Sequence, residues 1–236
     1  MQGELSRALA TALRLPAIAL TVAGRTDAGV HATGQVVHAD LPVEPDGRLL
    51  RRLAGLLPPD VRVTRLRAVP AAFDARFGAL WRRYEYRLCD AVGGADPLRR
   101  IDTVAWPRTL DAAAMDAAAR RMPGLRDFAA FCKRREGATT TRTLLDFSVA
   151  RSGDLILCAV RADSFCHSMV RSLVGALLAV GEGRRPVDWP AELLTRAERA
   201  NEVLVAPAHG LTLVEVGYPP DDELAARADQ TRARRG

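Results

Sequence analysis

Apolar residues recur along the chain with two spacings, which predict helices separated by strands. Leu5, Leu9 and Leu13 are four residues apart, so they share one face of a helix that Pro16 ends. The other predicted helices cover 48–57, 110–122, 168–180 and a short stretch near 190–200.

Shorter runs of β-branched and apolar residues lie between these helices and are typical of strands. The predicted strands cover 18–23, 35–39, 61–69, 80–89, 142–150, 155–162 and 211–216. The second half then has the order strand-helix-strand-strand-helix-strand, which is ferredoxin-like, and the first half has the same order without its leading strand. We therefore predict an α+β fold of two ferredoxin-like (βαββαβ) subdomains that form an extended antiparallel sheet with a central cleft.

The predicted domains follow from these two series of elements. An N-terminal subdomain covers 1–72 and lacks its first strand, and a C-terminal subdomain covers 73–220. The remaining segment, 221–236, is charged and has Leu224 as its one large apolar residue, so we expect a disordered tail.

Charge adds a candidate partner to this picture. The chain of 236 residues is 48% hydrophobic, as a globular protein requires, and carries a net charge of +6. Almost all of its positive charge comes from arginine, since Lys133 is the only lysine. Arginine forms bidentate contacts with phosphate and stacks on bases, so a nucleic acid is the expected partner.

Cysteine spacing and hydropathy exclude several other classes. Cys89, Cys132, Cys158 and Cys166 contain no Cys-x-x-Cys pair, which argues against a zinc or redox motif and favours free, buried thiols in a reducing cytoplasm. No apolar run is long enough to span a bilayer. We expect a cytoplasmic protein with no membrane partner.

The stretch 24–32 is the strongest candidate for chemistry, because two glycines bracket Arg25 and Asp27 on a loop between two predicted strands. By itself it also fits a polar turn in which Asp27 accepts hydrogen bonds from nearby backbone N–H groups. A nucleotide P-loop is disfavoured because no Lys-Ser/Thr pair follows the glycines.

Residues 24–32 read Gly-Arg-Thr-Asp-Ala-Gly-Val-His-Ala, and this stretch resembles the active-site loop of the tRNA pseudouridine synthase A family. Further stretches resemble the other motifs of that family and occur in the family's order. They are 73–77 with 82–86, then 163–171, then 206–211. The resemblance extends over most of the chain.

The resemblance implies an isomerase that converts uridine to pseudouridine at positions 38, 39 and 40 of the anticodon stem-loop of tRNA. It implies a homodimer that needs no cofactor and no metal, because the reaction consumes nothing. Family members begin with a strand before the helix that here starts at Gln2. We therefore hypothesise that the sequence is truncated or has a misassigned start.

The resemblance also assigns roles to individual residues. Asp27 is the expected nucleophile or base, and Arg171 is its ion-pair partner. Tyr84 is expected to pack on the flipped uracil and is a candidate relay for the C5 proton. Leu211 is expected to form an apolar wall of the uracil pocket. Arg25 is expected to fill the space that the flipped base leaves. Without the resemblance, Arg171 reads as a solvated helix charge, and Tyr84 and Leu211 as core residues.

RNA contacts are predicted from two overlapping sets of residues. By resemblance, the tRNA-binding residues are Arg25, Phe73, Asp74, Ala75, Arg76, Phe77, Arg82 and Arg142. The basic cluster expected to contact phosphates is Arg76, Arg82, Arg83, Lys133, Arg134, Arg135 and Arg142.

The histidines have no metal-ligand spacing, and His167 with Ser164 and Ser168 is interpreted as a chance adjacency rather than a nucleophile triad. Two other functions stay open at this point. A non-catalytic tRNA-binding protein or RNA chaperone would use the basic clusters without Asp27, and a glycosidase or nucleosidase would release free uracil.

Overall fold

The computed structural model describes residues 1–133 and 137–233. Its helices are α1 (Gln2–Leu13), α2 (Gly47–Leu56), α3 (Ala112–Ala119), α4 (Met169–Gly181), α5 (Trp189–Glu192) and α6 (Leu224–Ala233). Its strands are β1 (Thr21–Val22), β2 (His31–Ala32), β3 (Val37–His38), β4 (Trp81–Cys89), β5 (Val104–Ala105), β6 (Gly124–Asp127), β7 (Thr141–Ser152), β8 (Leu155–Ala162) and β9 (Leu211–Gly217).

The first of two compact units consists of residues 1–24 and 36–79 together with the described residues from Tyr218 onwards. Its core lies between α1 and α2, where Leu9, Leu49 and Leu53 are buried. Asp46 caps the start of α2, because its carboxylate accepts hydrogen bonds from the backbone N–H groups of Arg48 and Leu49. Strands β1 and β3 pair antiparallel in this unit.

The segment 61–69, which the sequence predicts as a strand, takes part in no β-ladder of the described chain, so that prediction is wrong. Val61, Val63 and Leu66 are instead partly buried against the core of α1 and α2. The alternating apolar residues therefore indicate which side chains face the core. They do not establish a hydrogen-bonded neighbour, which a strand also needs.

The segment after residue 220 also differs from the expected disordered tail, because α6 lies there. Leu224 and Ala228 are buried, and the Arg227 guanidinium donates a hydrogen bond to the carbonyl of Ala79. One leucine and one small residue at helical spacing are enough to attach this short helix to the first unit.

The second unit consists of residues 25–35 and 80–217 and contains a seven-stranded sheet. The strand order is β2-β9-β4-β8-β7-β6, and β5 pairs with β4 outside this path. All pairs are antiparallel except β2–β9 and β4–β5. The mixed α+β class and the mostly antiparallel sheet are confirmed.

Helices α3 and α4 of this unit pack against each other, and their buried side chains form a core with one face of the sheet. Alternate residues of β4, including Tyr84, Tyr86 and Leu88, are buried. Nearly every residue of α4 is buried, as its continuous apolar sequence predicts. Arg171, near the start of this helix, is therefore carried by a rigid element.

Strand β2 is not predicted from the sequence, and it determines where the loop 25–35 lies. It pairs in parallel with β9, and the backbone N–H groups of Thr33 and Gly34 both donate to the carbonyl of Leu213. A Cβ atom at Gly34 would lie 2.0 Å from the carbonyl oxygen of Val214, so this close approach requires glycine. The loop that carries Asp27 is thus attached to the second unit.

A similar close approach in α4 gives a stability prediction. A Cβ atom at Gly175 would lie 1.8 Å from the carbonyl oxygen of Leu204, and the neighbouring Ala176 and Leu177 are fully buried. We expect Gly175→Ala to lower the free energy of unfolding by about 3 kcal/mol in urea denaturation.

The matched control is Gly55→Ala in α2, where the new Cβ position has no described atom within 4 Å apart from the adjacent residues and the helix's own backbone. Alanine favours a helix more than glycine does, so this variant should gain up to about 1 kcal/mol. Equal stability of the Gly175 and Gly55 variants would contradict the close packing of α4.

Candidate active site

The Asp27 loop is a tight turn that the glycine two residues later makes possible. The N–H of Val30 donates to the carbonyl of Asp27 at 3.1 Å, and Gly29 has a φ of 81°. A positive φ at the third position of such a turn favours glycine. A Cβ atom at Gly29 would also lie 3.3 Å from Cβ of Ala208, so the turn is packed against that residue.

Asp27 and Arg171 form the ion pair that the family resemblance implies. The Nη1 atom of Arg171 donates to Oδ2 of Asp27 at 3.1 Å, and both side chains are largely shielded, at 19% and 27% exposure. A hydrogen bond between charged partners contributes about 1.5–3 kcal/mol where water is partly excluded. The pair orients the carboxylate.

The guanidinium of Arg171 is itself fixed by the backbone of the fourth motif. Its Nε atom donates to the carbonyl of Ala206 at 2.7 Å, and the N–H of Ala206 donates back to the carbonyl of Arg171 at 3.1 Å. Ala206 is fully buried. Arg171 therefore donates through Nε to the backbone and through Nη1 to Asp27. No pattern of side chains in the sequence indicates the hydrogen bond to the backbone.

Two further side chains reach the same carboxylate, although the sequence gives them no such role. Oγ of Ser168 lies 3.4 Å from Oδ2 of Asp27, and Nε2 of His167 lies 3.4 Å from Oδ1. Ser168 has a φ of 64°, a left-handed conformation that costs a residue other than glycine about 1–2 kcal/mol. His167 and Arg171 are four residues apart at the start of a helix, and this spacing is the one sequence signal that places their side chains near each other.

The loop before α4 is held at both of its ends. At its start, the side chain of Asp163 accepts a hydrogen bond from the N–H of Thr143, and its carbonyl accepts one from Arg82. Further along, Cys166 forms a disulfide with Cys132, with their Cα atoms 5.7 Å apart. The expectation of four free thiols is therefore wrong for this pair, because the fold joins cysteines that are far apart in sequence.

Tyr84 lies in β4 with its ring against Phe165 in an edge-to-face arrangement, with ring centroids 5.1 Å apart. Burial raises the pKa of Tyr84 to about 12, an effect that the charge of Arg82 opposes and that of Asp27 reinforces. The phenol is therefore protonated at neutral pH and near the carboxylate. Tyr86 is fully buried, and its hydroxyl donates to the carbonyl of Pro207.

The other residues predicted to contact the nucleotide have contrasting environments. Leu211 is buried at the start of β9, and Arg25 is exposed two residues before Asp27. Arg82 is only 7% exposed, and its Nη1 atom donates to the carbonyl of Asp163 at 2.8 Å. This burial leaves little of Arg82 facing solvent.

The segment 73–77 belongs to the first unit and forms a compact turn there. The carboxylate of Asp74 accepts hydrogen bonds from the N–H groups of Arg76 and Phe77, and the carbonyl of Ala75 accepts one from the hydroxyl of Tyr218. The Phe73 ring packs against Tyr218, with centroids 4.8 Å apart, and Arg76 is exposed and lies over the Phe77 ring.

The remaining basic candidates belong to the second unit. Arg142 begins the long strand β7, where it donates to the carbonyl of Thr141, and Lys133 is exposed. Arg83 forms ion pairs with Glu85 and Glu215. The predicted phosphate contacts Arg134 and Arg135 lie outside the described residues.

Over 1–133 and 137–233, no three His, Cys, Asp or Glu side chains converge as a metal site would require. In the same ranges, no helix combines the length and apolar character needed to cross a membrane.

Comparison with known proteins identifies the family of this chain. A family model described as tRNA pseudouridine synthase matches residues 118–219. A tRNA pseudouridine synthase A from Frankia casuarinae is 62% identical over all of this chain and 86% of its own length. Proteins of the same name from Streptomyces avermitilis and Cutibacterium acnes are 54% and 55% identical, again over the whole chain. The chain belongs to the tRNA pseudouridine synthase A family, whose members are isomerases.

Proposed function

We propose that this chain converts uridine to pseudouridine at positions 38, 39 and 40 of the anticodon stem-loop of tRNA. The observation that carries the proposal is the carboxylate of Asp27, which is paired with Arg171 and lies near the buried Tyr84. The relatives named tRNA pseudouridine synthase A make tRNA the expected substrate.

The reaction breaks the N1–C1′ bond of uridine, turns the base and joins C5 to C1′, so no electrons are gained or lost. Breaking a glycosidic bond develops positive charge at the sugar carbon, and a nearby carboxylate stabilises or attacks such a centre. Asp27 is proposed as that group, acting as a nucleophile or as the base that removes a proton from the nucleotide. Its ion pair with Arg171 holds the carboxylate in place for either role.

Tyr84 is proposed to pack on the uracil and to relay the proton that C5 loses. Its phenol keeps its proton at neutral pH, since burial raises its pKa to about 12. Stacking of a base on an aromatic side chain contributes about 1–3 kcal/mol, and every base offers a face for it. Leu211 is proposed as an apolar wall of the same pocket.

We expect Tyr84→Phe to lower kcat by about a hundredfold or more, because proton transfer by a positioned side chain contributes about 10²–10⁴-fold. The KM for tRNA should change little, since the ring remains. The matched control is Tyr86→Phe, which removes the hydrogen bond to Pro207 and should affect stability more than kcat. Equal loss of kcat in the two variants would contradict the assignment of Tyr84.

The target uridines lie within a stem, so the base must leave the helix before it can be reached. Arg25 is proposed to fill the space that the base leaves, which its exposure permits. Arg76, Arg142 and the segment 73–77 are proposed contacts to the RNA backbone, where positively charged side chains give affinity without reading sequence. Such recognition by shape would accept three neighbouring positions.

We also propose the finer organisation that the resemblance implies. The chain would comprise two ferredoxin-like subdomains and act as a homodimer on tRNA in the cytoplasm. Sedimentation of the protein with and without tRNA would measure the oligomeric state.

The test is the product itself. Unmodified tRNA transcripts are incubated with the protein and mapped with a reagent selective for pseudouridine, and tritium release from C5-labelled uridine gives the rate. We expect signals at positions 38, 39 and 40 and no free uracil. Bound tRNA without product would favour an RNA-binding protein or chaperone, and free uracil would indicate a nucleosidase.

A further inference from the structure

The two oxygens of the Asp27 carboxylate have different partners. Oδ2 accepts the hydrogen bond from Arg171 and lies 3.4 Å from the hydroxyl of Ser168. Oδ1 lies 3.4 Å from Nε2 of His167. A carboxylate held at one oxygen can still rotate about its terminal torsion, whereas contacts at both oxygens fix its plane.

The backbone brings two consecutive side chains to this one carboxylate. In a strand, successive side chains point to opposite faces, but here the N–H of Met169 donates to the carbonyl of Cys166 and closes a turn. Ser168 takes the left-handed conformation within it. The carbonyl of His167 accepts a hydrogen bond from the N–H of Lys133, which fixes the peptide from the other side. A strained residue that persists in a site is a pointer to function.

The exposures separate the roles of Arg171 and His167. The side chain of Arg171 is 19% exposed and that of His167 is 50% exposed, so the imidazole lies on the solvent side of Asp27. Water weakens the contact of His167 in the free protein. A nucleotide that covers the site removes this water and strengthens the contact, since electrostatic attraction rises as the dielectric constant falls.

We infer that His167 and Ser168 are positioning residues for Asp27, with His167 fixing Oδ1 and Ser168 acting beside Arg171 on Oδ2. The inference rests on the proposed function, because it assumes that Asp27 acts on the nucleotide. Both side chains are directed at the carboxylate, in contrast to a Ser-His-Asp triad, in which the imidazole lies between the other two groups. Neither is assigned a bond-making step.

The inference separates the effects on kcat from those on KM and on stability. His167→Ala should lower kcat about tenfold, because loosened positioning of a reacting group costs rate even when binding is intact. The KM for tRNA and the urea midpoint should remain those of the parent protein. His167→Gln should recover most of the lost kcat, since its amide can donate a hydrogen bond to Oδ1.

Ser168→Gly isolates the hydroxyl, because glycine adopts the left-handed backbone without strain. We expect this variant to be at least as stable as the parent protein and to have a kcat reduced about threefold to tenfold. Ser152→Gly, in an exposed position at the end of β7, is the matched control and should keep the parent kcat.

The measurement is single-turnover tritium release from C5-labelled tRNA, with Asp27→Asn assayed in parallel. Parent-like kcat in His167→Ala would overturn the inference, as would a raised KM alone, which indicates an RNA contact. A glutamine variant as slow as the alanine variant would also overturn it, since proton transfer by the imidazole would then be required. If Asp27→Asn is inactive and His167→Ala is fully active, this inference is wrong and the proposed function stands. If Asp27→Asn is active, both the inference and the proposed function are wrong.

Discussion

Asp27→Asn should abolish pseudouridine formation while the variant still binds tRNA. Asparagine has the same shape, and its amide oxygen can still accept the hydrogen bond from Arg171, so the fold should persist. It lacks the negative charge that a nucleophile, a base or a stabiliser of positive charge at C1′ requires. We expect kcat to fall by at least about a thousandfold, the scale seen when a central catalytic group is removed.

Binding and chemistry must be measured separately for this result to be informative. Tritium release gives the rate, and filter binding gives the affinity, which should stay within about threefold because phosphate contacts supply most of it. Asp154→Asn, at the exposed tip between β7 and β8, is the matched control and should be fully active. Parent-like turnover by Asp27→Asn would remove Asp27 from the chemistry.

Arg171→Lys should be almost as damaging, although the charge is conserved. Arg171 donates to the carbonyl of Ala206 through Nε and to Asp27 through Nη1 at the same time. Lysine carries one compact ammonium group and does not reproduce this planar fork. We expect kcat to fall about a hundredfold through misplacement of the carboxylate.

The same variant should also lose stability, because the carbonyl of the buried Ala206 loses its side-chain donor. A buried polar group without a partner costs about 1–3 kcal/mol, which urea denaturation would measure. Arg196→Lys is the matched control, since Arg196 pairs with Glu202 at an exposed position and such pairs contribute little. The prediction would be contradicted if Arg171→Lys matched this control in both rate and stability.

Combining the two variants tests whether the ion pair works as a unit. If Arg171 acts only through Asp27, the double variant should be no slower than Asp27→Asn, since the group it positions is already inactive. A further loss in the double variant would mean that Arg171 also contacts the nucleotide directly.

The sequence predicts those parts of the site that a regular element carries. The apolar run after Ser168 indicates a buried helix, so Arg171 is expected near the start of a rigid element. The alternation along β4 indicates that Tyr84 shares one face with Tyr86, and both are buried as that pattern implies. Motif resemblance then links Arg171 to Asp27, which lies 144 residues earlier.

The rest depends on interactions that local patterns do not encode. The position of Asp27 is set by the pairing of β2 with β9, which joins two residues of β2 to a strand about 180 residues away. The role of Ser168 depends on a left-handed backbone, which serine rarely adopts and composition does not signal. Cys132 and Cys166 likewise show no motif spacing, because the fold rather than the sequence brings them together.

The attachment of residues 25–35 to the second unit has a consequence for the expression of protein fragments. The long continuous part of that unit, 80–217, contains Arg171 and Tyr84. Asp27 lies in the separate segment 25–35, which comes from the N-terminal part of the chain. An expressed fragment 80–217 would therefore be catalytically silent and would expose the edge of β9 that β2 normally covers. Activity could return only if a separate peptide restored that missing edge.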